Sequence, residues 1–278
     1  MTVLTIDEAV SKYREDGFCF PLRACSAAAA ADCRAKLEAY EASQETGRLE
    51  GGMKQKLHVM LTWMADIVHT PAILEAVEGL LGPDILCWQT SWFIKEAHDP
   101  GFVSWHQDGN YWGLSSHEVA TAWLALSPAT VASGCMRMAP GSQGWEPVAH
   151  DDTFDDNNLL TRGQVMQAEI DESGVVDVEL QPGEFSLHHV NLAHASHPNR
   201  TGDRRIGLAI RYITPHVRQT TGVPDSAMLV RGEDREGHFE IEPRPAEDLT
   251  PDAVALHKRV TETRSEFIYY AADIPTDA

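Results

Sequence analysis

The sequence predicts a mainly β fold with flanking α-helices, arranged as a β-sandwich or jelly roll. Three observations support this prediction. Residues 1–83 carry helix start and stop signals, residues 84–215 consist of short apolar or alternating runs between turn residues, and a further helix signal follows residue 249. Helices followed by many short strands are typical of sandwiches with helices packed on their outside. The order of the strands does not by itself separate a jelly roll from another sandwich.

The helices are predicted from their ends. Thr5 and Glu8 form a capping-box pattern, and Gly17 suits the position just after a helix. Elsewhere a serine or threonine cap, in two cases followed by proline, marks the start. The predicted helices run over about 6–16, from Ser26 to about 44, from Thr70-Pro71 to Gly82-Pro83, and from Thr250-Pro251 to about 265.

The strands are predicted from short runs of apolar or alternating residues that end at Gly, Pro, Asn, Asp or Ser. They are Ile85–Lys95, Val119–Leu126, Cys135–Ala139, Val175–Leu180, Phe185–His189 and Arg205–Ile213. No repeat or long linker interrupts the chain, which favours one domain over 1–278. Its parts are a helical N-terminal part at about 1–83, a core at about 84–215 and a C-terminal helical extension at about 216–278.

Composition excludes several classes of partner. The net charge of −20 repels phosphate backbones and acidic lipids, so neither a nucleic-acid nor a membrane partner is expected. No apolar run approaches the roughly 20 residues that cross a bilayer. The N-terminal segment lacks the pattern of a secretory signal, and the five cysteines form no C-x-x-C pair. A cytoplasmic protein with reduced thiols is expected; the oligomeric state stays open.

The segment Ser104-Trp105-His106-Gln107-Asp108 carries a possible metal-binding pattern. If the segment is a strand, His106 and Asp108 point to the same face and can share one ion. Two histidines and one carboxylate on one side of an ion form the facial triad of non-haem iron(II) oxygenases. An H-x-D triplet alone is weak support for a metal site, because this chain contains 13 histidines.

A second segment supplies the rest of the pattern. It reads Gly183-Glu184, then His194-Ala-Ser196, then Asn199, Thr201 and Arg205. Together with the H-x-D, and with the stretches 89–95, 121–123 and 134–142, it resembles the phytanoyl-CoA dioxygenase family of 2-oxoglutarate oxygenases. The resemblance covers roughly residues 5–215. It implies a double-stranded β-helix (jelly roll, cupin-like) fold, and Fe(II) with 2-oxoglutarate and O2 as co-substrates.

The resemblance also implies roles for individual residues. It makes His106, Asp108 and His194 the metal ligands, because His194 lies eleven residues before the arginine of the motif; His188, His189 and His197 lie nearby. Arg205 would anchor the distal carboxylate of 2-oxoglutarate, since a guanidinium binds a carboxylate through two hydrogen bonds. Ser196 would assist it, and Gln89 and Trp123 resemble residues that line the co-substrate pocket.

The expected reaction is hydroxylation of an unactivated C–H bond of a small molecule, with release of succinate and CO2. Halogenation is not expected, because Asp108 stands where the family's halogenases carry a small residue. Two alternatives remain from the residues alone: a non-enzymatic or inactive jelly-roll metal-binding protein, and a zinc hydrolase with the same His/Asp/His set. The primary substrate is not predicted. The residues proposed to contact it are Asn110, Tyr111, Trp112, Trp92, His58 and Arg137, with Lys54 and Lys56 as weaker candidates.

Overall fold

The computed structural model describes residues 3–146 and 148–270, and it describes the side chains in those ranges except at 110, 111 and 264–270. Five α-helices lie in these ranges. They are α1 (Ile6–Asp16), α2 (Ala27–Ala42), α3 (Thr62–Val68), α4 (Pro71–Leu81) and α5 (Pro251–Tyr270). None of the helices in the described ranges is both long and apolar enough to cross a membrane.

Thirteen β-strands lie in the same ranges. They are β1 (Phe18–Arg23), β2 (Ile85–Lys95), β3 (Val103–His106), β4 (Val119–Ala125), β5 (Met136–Met138), β6 (His150–Asp152), β7 (Gln164–Met166), β8 (Val176–Val178), β9 (Glu184–His189), β10 (His194–Ser196), β11 (Arg205–Ile213), β12 (Ser226–Arg231) and β13 (Glu240–Ile241). The larger sheets have the strand orders β1-β9-β4-β11-β2-β12-β13 and β3-β10-β5-β8, and β6 pairs with β7. The predicted mainly β fold is confirmed.

The local signals located most of these elements. The capping box of α1 is present, and Gly17 ends that helix in the left-handed region at φ 84°. Strands β2 and β11 have the predicted bounds. The sequence missed α3, whose seven residues begin without a side-chain cap, and β1, which contains a proline. It also missed the strands β6, β7 and β10, as well as β12 and β13, which lie in the segment predicted as a helical extension. Proline cannot donate a ladder hydrogen bond, so it weakens a strand signal.

The chain divides into two compact units, whose boundary crosses β2, β4 and β11. One unit comprises Met1–Arg48, Trp92–Asp108 and Thr121–Ala209; the other comprises Leu49–Ser91, Gly109–Ala120 and Ile210–Ala278. They are called the first and the second unit below. The prediction of one domain over 1–278 stays a prediction.

The first unit contains α1, α2 and the four-stranded antiparallel sheet. In that sheet β10 lies between β3 and β5, and β8 pairs with the far side of β5. Its apolar core includes Phe18, Trp123, Met136 and Met138. Because directly paired residues share a face, His194 and Ser196 lie on the same face as Met138 and Met136, their partners on β5.

The second unit contains α3, α4, α5 and the β12–β13 pair. Its interior holds an ion pair, since Lys56 and Glu242 both have fully buried side chains and are in hydrogen-bonding contact. Ser226 and His58 complete the cluster: the Ser226 hydroxyl donates to Glu242 Oε1 over 2.7 Å, and His58 Nε2 lies 3.2 Å from Glu242 Oε2.

Candidate metal centre and co-substrate site

The pairing of β3 with β10 brings three potential metal ligands together. His106 ends β3, His194 begins β10, and the two are direct partners in the antiparallel ladder. Asp108 Oδ1 lies 3.5 Å from His106 Nε2. One ligand atom from each of these three buried residues lies within 4.8 Å of the others. Two imidazoles and one carboxylate on one side of a common point fit a divalent metal ion with open positions.

Backbone carbonyls fix the orientation of both histidines. The Nδ1 of His106 lies 2.9 Å from the carbonyl oxygen of Ser104, and the Nδ1 of His194 lies 2.9 Å from that of Leu192. An N–H at Nδ1 donates to the carbonyl and leaves the lone pair of the neutral imidazole on Nε2. This is how metal-binding histidines are usually held.

The reasoning that placed Asp108 in a strand is wrong in detail. β3 ends at His106, and Asp108 begins a short 3-10 helix over Asp108–Tyr111. The alternation of side chains along a strand therefore does not explain why His106 and Asp108 meet. The turn after the strand end brings the carboxylate back to the imidazole.

The other nearby histidines lie outside this set of three. The ring of His188 packs against that of His194, with centroids 4.9 Å apart. His189 is half-buried, and its Nδ1 accepts from the Asn191 amide over 3.1 Å. His197 is exposed. The geometry favours His194 as the third ligand, and this assignment is a proposal.

His150 supports the segment between the two ligands of the H-x-D. Its Nε2 accepts from the backbone N–H of Gln107 over 3.0 Å, and its Nδ1 lies 2.8 Å from the Val148 carbonyl. The Gln107 side chain in turn donates to the Asn191 carbonyl over 2.7 Å. The residue between His106 and Asp108 is thus held at both its backbone and its side chain.

Arg205 is a buried cation on the first residue of β11, with a relative exposure of 1%. Among the described residues, its Nε and Nη2 have no hydrogen-bond partner and no ion pair includes it. Burial lowers the pKa of its guanidinium to about 10. Because a buried donor without a partner is costly, these nitrogens suit an anionic ligand that accepts from both. The site therefore fits a carboxylate.

Trp123 and Gly207 shape the surroundings of Arg205. The Arg205 Cζ lies 5.2 Å from the centroid of the Trp123 ring, a cation–π distance. A Cβ at Gly207 would lie 1.8 Å from Trp123 Cζ2. Glycine is therefore needed there for the indole to lie against β11, beside the guanidinium.

Ser196, the predicted assistant of Arg205, contacts a second buried basic side chain. Lys95, on the last residue of β2, donates from Nζ to Ser196 Oγ over 2.7 Å and to the carbonyl oxygen of His197. Lys95 is fully buried. Sequence analysis assigned no role to Lys95, because its partner is 101 positions away along the chain.

Six of the remaining predicted site residues fall into three groups, and Arg137 is described after them. Gln89, Trp112 and His58 belong to the second unit; Gln89 Nε2 donates to Gln55 Oε1 over 2.9 Å, and Trp112 packs edge-on against Trp88. Both ring nitrogens of His58 are engaged, with Thr90 Oγ1 and Glu242 Oε2. Trp92 is buried in the first unit. Asn110 and Tyr111 lie outside the described side chains.

Arg137 lies on the opposite face of the four-stranded sheet from His194. It pairs with Ala195, and strand side chains alternate in direction. Its guanidinium contacts the carboxylates of Glu172 and Asp177 and lies over the Trp105 ring at 5.7 Å. The structure therefore does not bring Arg137 together with the metal-binding set. Of the two weaker candidates, Lys56 belongs to the ion pair with Glu242, and Lys54 ends a 3-10 helix in the second unit.

Comparison with known proteins decides the family. The pattern of the phytanoyl-CoA dioxygenase (PhyH) family matches residues 13–207. The chain belongs to this family. A solved structure described as the apo form of ThoJ, a non-heme monooxygenase, is 38% identical, with a TM-score of 0.83 over 95% of this chain and 98% of that one. Membership of this family agrees with the prediction of Fe(II) as the metal and 2-oxoglutarate as the co-substrate. It also confirms the predicted jelly-roll fold.

More distant relatives share part of the sequence or the fold. The dioxygenase lolE1 of Epichloe uncinata is 24% identical over 146 residues, which is 52% of this chain and 52% of that protein. The structure of CytC3 with Fe(II) and alpha-ketoglutarate is 19% identical, with a TM-score of 0.65 over 89% of this chain and 99% of that one, and it shows the shared fold. The chain spans about half the length or less of the curated relatives it matches.

Proposed function

We propose that this protein is an Fe(II)- and 2-oxoglutarate-dependent dioxygenase that hydroxylates an unactivated C–H bond of a small molecule and releases succinate and CO2. The observation that carries the proposal is Arg205, a buried guanidinium with unpartnered nitrogens in the same unit as the His106, Asp108 and His194 set. A metal-binding site alone does not require such a cation, whereas a dicarboxylate co-substrate does.

Each residue of the first unit has a distinct task in this proposal. His106, Asp108 and His194 hold the metal on one side, and the carbonyls of Ser104 and Leu192 hold the two imidazoles in the metal-binding tautomer. Bound iron with 2-oxoglutarate and O2 supplies the oxidising power. Arg205 binds the distal carboxylate, and Trp123 covers the guanidinium and excludes water from it.

Asp108 favours hydroxylation over halogenation, because its carboxylate supplies a third protein ligand and a negative charge at the metal. For the primary substrate, Asn110, Tyr111 and Trp112 stay proposed contacts because they directly follow Asp108 in the chain. His58 and Arg137 are weaker candidates, since their polar atoms are engaged within the protein. The chemical class of the substrate stays open, and we propose a cytoplasmic location.

The test is an anaerobic titration of the Fe(II)-loaded protein with 2-oxoglutarate, followed by succinate analysis after O2 is admitted. A visible charge-transfer band that saturates with 2-oxoglutarate, and succinate formed in proportion to enzyme turnover, are the expected results. Tight zinc binding with no band and no succinate would instead favour a zinc hydrolase or an inactive metal-binding protein, because zinc accepts the same donors.

A further inference from the structure

Lys95 lies at the proposed co-substrate site without a negatively charged partner. It has a relative exposure of 0%. Its Nζ contacts two oxygen atoms, the Ser196 hydroxyl at 2.7 Å and the His197 carbonyl. Both are neutral, and no ion pair within residues 3–146 and 148–270 includes Lys95. A fully buried lysine of this kind is rare unless it is paired.

The charges around Lys95 oppose its protonation. Burial and, after it, the positive charge of Arg205 lower the pKa of Lys95 to about 6. The nearby Asp99 and Cys135 act in the opposite direction, more weakly. Asp99 accepts from the backbone amides of Glu96 and Gly101, at 2.9 and 2.7 Å. His197 is a further titratable neighbour. Burial and the charge of Arg205 therefore favour the uncharged amine form of Lys95 in the free protein, while Arg205 keeps its charge.

We propose that Lys95 is a positioning residue that takes up a proton when the distal carboxylate of 2-oxoglutarate binds at Arg205 and Ser196. The inference rests on the proposed function. A carboxylate beside Arg205 offsets the charge that repels a proton from Lys95, and it adds a negative charge nearby. Both effects favour the ammonium form. The proton comes from the solvent, and no other bond is made or broken.

Protonation changes what Ser196 can do. A neutral amine can accept the hydroxyl proton of Ser196, whereas an ammonium has three donors and no acceptor. A charged Lys95 can only donate to Ser196 Oγ, as Nζ does in this structure, so the Ser196 hydroxyl hydrogen is left to donate to the carboxylate. Lys95 thus couples the charge of the co-substrate to the orientation of the serine next to it.

This coupling makes binding depend on pH in a defined direction. Because the bound state holds one more proton than the free state, affinity for 2-oxoglutarate falls as pH rises above the pKa of free Lys95. The limit is about tenfold per pH unit for one proton, and it holds until the pKa of the bound state is reached. Below about pH 6 the contribution of Lys95 to this dependence disappears.

The test is anaerobic calorimetry of 2-oxoglutarate binding to the Fe(II)-loaded protein in buffers of different ionisation enthalpy, between about pH 6.5 and 8.5. The dependence of the heat on the buffer gives the number of protons taken up. Wild type and Lys12→Met, which removes an exposed lysine on α1, should take up about one proton, with affinity falling as pH rises. Lys95→Met should take up about one proton fewer than wild type. Its affinity for 2-oxoglutarate should also depend less steeply on pH.

Equal proton uptake by wild type and Lys95→Met overturns the proposal. So does wild-type binding without any uptake across this range, a result that needs no variant and holds if Lys95→Met fails to fold. In both cases 2-oxoglutarate still binds, and the proposed function stands. A protein that binds no 2-oxoglutarate at any pH contradicts the proposed function and this inference together.

Discussion

Two buried basic clusters differ in how their charge is balanced. In the second unit, Lys56 contacts Glu242, and both side chains are fully buried. In the first unit, Lys95 and Arg205 are equally buried, but no ion pair in the described ranges includes either of them. The positive charge of Lys56 is matched within the protein, whereas Arg205 has no anionic partner among the described side chains.

The pKa directions show the same contrast. Despite burial, Lys56 and His58 hold the pKa of Glu242 at about 2, so it stays ionised. In the first unit, burial lowers the pKa of both Lys95 and Arg205. A balanced cluster is expected to stabilise the fold once it is formed, while an unbalanced one is expected to bind an anion at some cost to stability. Variants of the two clusters should therefore affect different measurements.

The largest effect is expected at the metal ligands beside the unbalanced cluster. His194→Ala removes one of three protein ligands and should abolish measurable Fe(II) binding and succinate formation while the circular dichroism spectrum stays that of wild type. His188→Ala is the matched control, because its ring packs against His194 without belonging to the metal-binding set. Retained iron binding in His194→Ala, together with its loss in His188→Ala, would transfer the third-ligand role to His188.

The next largest effect is expected in the balanced cluster, and on stability alone. Lys56→Met leaves Glu242 buried without its ammonium partner, which typically costs about 3–5 kcal/mol. The measurement is the free energy of unfolding from urea denaturation. Affinity of the folded protein for 2-oxoglutarate should stay within a factor of about two of wild type, because Lys56 contacts Ser226 and Glu242 and effects at independent sites add.

The double variant Lys56→Met/Glu242→Gln is the control for this interpretation. It removes both charges and keeps an amide that can bond to His58, so it should recover part of the lost stability. If the double variant loses more stability than the two single variants lose together, the pair does not act through charge balance.

Arg205→Ala should show the opposite pattern. Loss of one half of a buried charge pair with the co-substrate costs roughly 2–5 kcal/mol of binding, or about 30- to 3,000-fold in affinity for 2-oxoglutarate. Iron affinity should change little. Arg205→Lys should recover only part of the affinity for 2-oxoglutarate, since an ammonium does not reproduce the planar guanidinium with its two parallel hydrogen bonds. An unchanged Michaelis constant for 2-oxoglutarate in Arg205→Ala would refute the anchor role.

A smaller effect is expected at His150, which acts on the metal through the backbone of Gln107. His150→Leu removes the acceptor of the Gln107 N–H, and changes of this kind lower metal affinity by about 10- to 100-fold. His150→Gln keeps an acceptor and should retain more of the affinity. Competition with a fluorescent chelator measures both. Equal losses in the two variants would indicate that the hydrogen bond is not what matters.

Sequence analysis predicted the residues of the candidate site better than the buried residues that position them. His106, Asp108, His194 and Arg205 fall in a motif whose spacing is itself a signal, and the structure brings the first three together. Lys95 ends the matching stretch 89–95, but no spacing in the sequence reveals the partner of Lys95, His150 or Lys56. Their partners lie 101, 43 and 186 positions away, and only the folded chain brings them into contact.

One error of the sequence analysis has a physical cause. The strand that carries His106 ends at that residue and does not continue to Asp108, so Asp108 reaches the site through a turn. The contact of Arg137 with substrate stays a prediction. Alternation along β5 directs this side chain to the face where it contacts Glu172 and Asp177.

The most direct test of the contrast between the clusters is the shift in melting temperature that 2-oxoglutarate causes in the anaerobic, Fe(II)-loaded protein. A ligand that binds only the folded state raises its stability in proportion to the logarithm of its concentration over its dissociation constant. We predict a clear upward shift in wild type and in Lys56→Met, although the latter melts lower, and almost none in Arg205→Ala at the same concentration. A shift in Arg205→Ala equal to that of wild type would contradict the assignment of the buried guanidinium to the co-substrate.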